Sequence, residues 1–138
     1  MRHLTAHLSE PLSSTRLLIA HDTISRFETL DATIRQYRGS QQRCDLLNDY
    51  LDTGLELATD AGFKGLTRLQ ESWLRRVYTT LRDAGLNSEC AELWRQSCLE
   101  SLYQPFFALS HLYRNRPDGR YALRYLSREM QVISGYLL

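Results

Sequence analysis

The chain has 138 residues, of which 43% are hydrophobic and 24% are charged, and its net charge is +1. These values are typical of one globular domain and exclude a wholly disordered chain, so we expect residues 1–138 to form a single unit with residues 1–12 flexible. A net charge this small gives the chain no general attraction to nucleic acid or to an anionic membrane, so such binding requires a local cluster of charge.

The cysteines and the first residues of the chain indicate the cellular compartment that we expect for the protein. Cys44, Cys90 and Cys98 form no CxxC pair, which argues against a disulfide framework and against a zinc site. The first 20 residues lack the pattern of a signal peptide, and no apolar run is long enough to span a membrane. We therefore expect a cytoplasmic protein with reduced thiols, no bound metal and no membrane segment.

Apolar residues recur every three or four positions along most of the chain, as one face of an α-helix requires, and no segment alternates as a strand does. The first predicted helix runs from a Ser13 or Ser14 cap to Arg38. The second runs from a Ser40 cap to Ala61, before Gly62, and the third occupies residues 66–84, before Gly85.

The fourth predicted helix begins after Asn87 or Ser88, extends to Tyr113 and contains Pro105. Proline removes a backbone donor, so we expect a kink near residue 104 or two shorter helices that meet there. The fifth helix begins at an Asp118 cap. Because the connections are short, we predict an all-α, up-and-down antiparallel bundle of four long helices plus a fifth C-terminal helix, with the fourth kinked at Pro105.

The second helix carries a row of carboxylates spaced by three or four residues. We call this the acidic row: Asp45, Asp49, Asp52, Glu56 and Asp60. Basic residues in and just before the third helix, namely Lys64, Arg68, Arg75 and Arg82, are expected to pair with it. A metal site is disfavoured because the Glu-x-x-His motif of di-metal bundles is absent.

The sequence RNRPDGRYALRYLSR, residues 114–128, is a basic and aromatic cluster. Its members are Arg114, Arg116, Arg120, Arg124, Arg128, Tyr121 and Tyr125. Three interpretations stay open. The arginines bind carboxylates of a partner protein or of the second helix, they bind phosphates while the tyrosines stack on bases, or they form a solvated face. The first is favoured over the second because the sequence has no nucleic-acid-binding motif and is not strongly basic.

A second group of residues indicates a pocket or an interface. A kink at Pro105 opens space between helices, Phe107 lies off the apolar side of its helix, and the end of the chain is apolar. The candidate residues are Pro105, Phe106, Phe107, Tyr136, Leu137 and Leu138. They are expected to dock on the bundle, on a partner or on a second copy, and we expect a homodimer because symmetric dimers are the commonest oligomers.

The sequence gives little support to an enzyme. His21, His111 and Cys98 are scattered, and His3 and His7, although spaced to share a metal, lie near the end of the chain. No nucleotide-binding fingerprint is present, so we assign no catalytic residue and no cofactor. The expected function is a non-enzymatic interaction module of the bacterial cytoplasm, an adaptor, chaperone or regulator. The alternative is a regulator that binds nucleic acid or a phosphorylated small molecule through the arginines.

Overall fold

The computed structural model describes residues 21–137, and every regular element in that range is an α-helix. Residues 21–36 are helical and are called α1. The other helices are α2 (Cys44–Phe63), α3 (Thr67–Leu86), α4 (Glu92–Ser101), α5 (Tyr103–Arg114) and α6 (Arg120–Ser134). The predicted all-α class is confirmed. The expected flexibility of residues 1–12 falls outside the described residues.

Helix α3 lies at the centre and contacts α2, α4 and α5. Its Val77 and Leu81 are fully buried. Helix α1 joins this core through Phe27, whose ring stacks on Tyr50 of α2 with 5.1 Å between centroids and meets Trp73 of α3 edge-on at 5.4 Å. Ring contacts and apolar burial therefore unite three helices around one core.

Helix ends differ from the predictions because contacts distant in sequence decide them. Helix α2 begins at Cys44 instead of just after Ser40, and the residue before it, Arg43, has a left-handed backbone with φ 50° and lies over the Tyr37 ring. Gly85 does not end α3 but lies inside it. A Cβ atom there would come within 2.4 Å of Leu99, so this glycine allows α4 to approach α3.

The fourth predicted helix is two helices, α4 and α5, with Leu102 between them. Two shorter helices were one of the two expected outcomes, whereas a kink at Pro105 and a bundle of four long helices are not confirmed. Pro105 is in the first turn of α5, where backbone N–H groups have no partner within the helix, so proline is tolerated there. Within residues 21–137, no helix has the length and apolar character of a transmembrane segment.

Candidate interaction surface on the last helix

Helix α6 has one buried side and one outward side. Leu126, Met130 and Ile133 are buried and define the side that faces the core. Arg120, Arg124 and Arg128 are exposed along the outward side, and we call them the arginine row. Their four-residue spacing separates successive guanidinium stems by about 6 Å along the helix axis.

An exposed apolar row lies beside the arginine row. Tyr121 and Tyr125 are 82% and 67% exposed to solvent, and Val132 and Tyr136 are each 66% exposed. Tyr136 follows the end of α6, whose last residue is Ser134. We call the two rows together the α6 face. A surface that combines tyrosine and arginine in this way has the composition of protein-binding hot spots.

A shallow groove of about 550 Å³ lies along part of the α6 face. Its walls are Arg75 of α3 and the following residues of α6: Tyr121, Ala122, Arg124, Tyr125 and Arg128. None of these residues is acidic. The groove therefore offers three guanidinium groups and two phenol rings to a ligand, and an anionic group that enters it meets no carboxylate of its walls.

The five predicted arginines differ in how they are neutralised. Arg114 and the three arginines of the arginine row form no ion pair with any carboxylate in the described part of the chain. Arg116 instead donates to Glu71 Oε1 at 2.6 Å and to Asp118 Oδ1 at 3.3 Å, and these hydrogen bonds raise the pKa of Arg116. Arg116 therefore joins the end of α5 to α3, and Arg114 and the arginine row are the unpaired part of the cluster.

A partly buried hydrogen-bond network lies beside the groove. The Tyr113 hydroxyl donates to Glu71 Oε2 at 2.6 Å and accepts from Arg75 at 2.9 Å. Burial opposes the charge of Glu71, but the hydrogen bonds from Tyr113 and Arg116 outweigh this and lower the pKa of Glu71. The ionised Glu71 holds Arg75 and Arg116 in place, so the groove wall contributed by α3 is fixed.

The acidic row follows the outward side of α2, but its expected pairing with α3 is largely wrong. Some members of the acidic row pair elsewhere, Asp49 with Arg26 of α1 and Asp45 with Arg43. Of the four basic residues expected to pair with the row, only Lys64 does so in the described part of the chain, through Asp60 at 2.9 Å, whereas Arg82 of α3 pairs with Glu129 of α6 at 3.2 Å. The reason is that Arg75 and Arg82 lie on the side of α3 that meets α5 and α6. Asp118 does not cap α6 either, because its carboxylate accepts from Arg116.

The residues expected to form a pocket lie in two places. Phe107 of α5 is 62% exposed, and its ring contacts Phe106 and Tyr103 at centroid distances of 5.4 and 6.1 Å, while Pro105 is buried. Leu137 packs on the core and, with Tyr136, borders a hollow of about 340 Å³ beside α3 and α4. Leu138 lies outside the described residues.

The other polar candidates show no catalytic arrangement. His21 and His111 are exposed, and burial raises the pKa of the Cys98 thiol to about 12, which makes it unreactive at neutral pH. Residues 21–137 contain no group of three or more His, Cys, Asp or Glu side chains that fits a metal ion. His3 and His7 lie outside that range.

Sequence reasoning missed Asp31, a carboxylate only 3% exposed between α1, α2 and α3. It accepts hydrogen bonds from Tyr50 at 2.5 Å, from Thr80 at 2.7 Å and from Arg35 at 2.8 Å. The sequence feature that could have identified Asp31 is its position four residues after Phe27 and three before Ile34, on the apolar side of α1. The role of Asp31 is to join helices.

No protein-family model, curated protein or solved structure matches the chain. The function is therefore argued from its own residues and contacts.

Proposed function

We propose that the chain is a non-enzymatic protein-interaction module, an adaptor, chaperone or regulator, that binds a partner protein through the α6 face. The observation that supports this is the arginine row, which has no ion pair within residues 21–137 and lies beside exposed Tyr121 and Tyr125. Unpaired guanidinium groups offer bidentate contacts to carboxylates, and tyrosines bury a large area at low entropic cost.

The apolar row favours a protein partner over nucleic acid. It continues past the last arginine to Val132 and Tyr136, and an aliphatic side chain provides no stacking surface for a base. A protein partner contacts both the arginine row and the apolar row when its own surface has carboxylates beside an apolar strip. The cytoplasm is the proposed compartment, because Cys44, Cys90 and Cys98 are free thiols.

Charge reversal of the groove tests this function. The variant R124E/R128E replaces two exposed side chains without an ion pair to a described residue, so the fold is expected to survive. Immobilised wild-type chain is expected to retain a set of proteins from lysate that R124E/R128E loses, because its carboxylates now repel the partner's.

The matched control is R38E/R68E, which makes the same change in net charge at two exposed arginines outside α6. Circular dichroism of each variant checks that the helices are intact. The proposal is overturned if R124E/R128E retains every protein that the wild-type chain and the control retain.

The groove supports a second candidate, binding of nucleic acid or of a phosphorylated small molecule, because Arg75, Arg124 and Arg128 converge beside two tyrosines. If the three arginines each contact a phosphate of a single strand, affinity for an oligonucleotide falls about 20-fold when salt rises fourfold. A titration of a labelled single strand measures this. Affinity that stays flat with salt, or no binding at low salt, rejects this candidate.

A further inference from the structure

The acidic row is a second charged surface that the proposed function does not use. It faces outward along α2, and at the C-terminal end of that helix Phe63 is 89% exposed. Leu66 and Leu69, which follow Phe63 in sequence, are also exposed. We call the acidic row and these three residues together the α2 face. This surface has carboxylates beside an apolar group, which is the composition that the α6 face requires of its partner.

The two faces match in the spacing of their charges, and α2 is the longer helix. The acidic row and the arginine row both have side chains one helical turn apart, so successive charges on each are separated by about 5–6 Å along the axis. Helix α2 has 20 residues and α6 has 15, which correspond to lengths of about 30 and 22 Å. Several carboxylates can therefore meet the three arginines at once when the two helices lie side by side.

The charges of the α2 face are available for such a contact. Asp52 is exposed and has no hydrogen bond or ion pair with a described residue. Three other members of the acidic row form ion pairs: Asp45 with Arg43, Asp49 with Arg26 of α1, and Asp60 with Lys64. Glu56 accepts a hydrogen bond from Thr23 at 3.4 Å. Such surface ion pairs contribute little to stability and exchange easily. Among residues 21–137, no hydrogen bond or ion pair joins α2 to α6, so the acidic row and the arginine row do not neutralise each other within one copy.

We propose that a second copy of this chain is a partner of the α6 face, which binds the α2 face of that copy. The inference rests on the proposed function, since it uses the same α6 face and names its partner. The contact joins two different surfaces, so a pair of copies leaves one α2 face and one α6 face free, and copies add head to tail. This head-to-tail contact differs from the symmetric homodimer that was expected because such dimers are the commonest oligomers. An acidic partner of another kind competes with the second copy for the α6 face.

Sedimentation velocity of the purified full-length chain tests the inference. The wild-type chain is expected to show a weight-average mass that rises with concentration at low salt to about twice the monomer or more, and that returns to the monomer at about 0.5 M salt. The variants R124E/R128E and D52K/E56K are each expected to stay monomeric, because each carries like charges on both faces. The control Q36E/R38E/Q104E makes the same change in net charge as R124E/R128E at exposed positions outside both faces, and it is expected to associate as the wild type does.

Mixing the two monomeric variants provides the decisive result. The unchanged α6 face of D52K/E56K fits the unchanged α2 face of R124E/R128E, and the two reversed faces fit each other. An equimolar mixture is therefore expected to associate, as is the chain that carries all four substitutions. The inference is overturned if the wild-type chain is monomeric at low salt, or if the mixture remains monomeric.

Capture from lysate separates this inference from the proposed function. D52K/E56K keeps the α6 face, so it is expected to retain the same proteins as the wild-type chain. If the wild-type chain is monomeric while capture depends on Arg124 and Arg128, the inference fails and the proposed function stands. If the chain associates through both faces but retains no other protein, the function as a module for other partners fails and the inference stands.

Discussion

Asp31 shows how one side chain joins three helices. Burial opposes its charge, but hydrogen bonds from Tyr50, Arg35 and Thr80 outweigh that cost, so the pKa of Asp31 lies below its usual value. Arg35 also donates to Thr80 at 2.7 Å, and Arg76 of α3 pairs with Glu28 and Asp31 of α1, so several polar contacts link α1 and α3. A buried carboxylate with every partner in place fixes how the helices meet, and loss of its charge leaves those donors unmatched.

We predict that D31N lowers the free energy of unfolding by about 2–3 kcal/mol, because an amide of the same shape loses the charge that these donors were placed to meet. Urea unfolding at pH 7, followed by circular dichroism, measures the change. D22N removes an exposed carboxylate from the same helix and is expected to change stability by less than about 0.5 kcal/mol. Equal effects of the two substitutions would show that the Asp31 network contributes nothing.

At the scale of elements, Gly54 of α2 allows a close approach to α3. A Cβ atom on Gly54 would come within 2.4 Å of Val77 Cγ2 and 3.0 Å of the Phe27 ring. Both neighbours are fully buried, so neither can move without disturbing the core. The absence of a side chain at this position therefore sets the distance between the two helices.

We predict that G54A destabilises the chain by about 1–3 kcal/mol, although alanine is the better helix former, because the added methyl group overpacks the core. Thermal and urea unfolding measure the change. T59A alters an exposed position of the same helix and is expected to be close to neutral or slightly stabilising. A G54A chain that is more stable than the wild type would show that α2 and α3 separate at little cost.

The sequence predicted the helices better than their ends and their ionic partners. Periodicity is local, so the apolar side of each helix could be read directly, and every predicted helix has a counterpart in the structure within residues 21–137. The end of a helix or the partner of a charge depends on residues far away along the chain. Gly85 meets Leu99, and Arg116 meets Glu71 across 45 positions.

The candidate surface was also predictable only where it depends on spacing within one helix. The row of Arg120, Arg124 and Arg128 was predictable because its spacing is that of a helix, and the structure leaves it exposed. The contribution of Arg75 to the groove was not predictable, because it requires α3 and α6 to lie side by side. Spacing within one helix can be read from sequence, whereas a wall shared by two helices depends on packing.

At the scale of the whole molecule, charge is separated between the two ends of the sequence. Residues 1–62 have six basic and nine acidic side chains, whereas residues 113–138 have five basic and two acidic. Two carboxylates, Asp31 and Glu71, are bound to donors within the fold and have lowered pKa values. They make the stability of the entire fold depend on pH.

We predict that acid weakens the fold through these two groups. In the unfolded chain Asp31 and Glu71 regain ordinary pKa values of about 3.9 and 4.3, so below about pH 5 the unfolded state binds protons before the folded state does. Their contribution to stability is therefore complete at neutral pH and declines as the pH falls through the lowered folded values. Each group adds at most about 1.4 kcal/mol per pH unit to the slope.

Urea unfolding at intervals between pH 7 and pH 3 measures this dependence, and the variant D31N/E71Q isolates its origin. The variant is expected to be less stable at neutral pH and to lose less stability between pH 5 and pH 3, since both titrating groups are gone. Replacing two exposed carboxylates by D22N/E92Q provides the control, which is expected to follow the wild-type curve. If D31N/E71Q and the wild-type chain lose stability in parallel on acidification, other groups determine the acid sensitivity, and the buried carboxylates do not link protonation to folding.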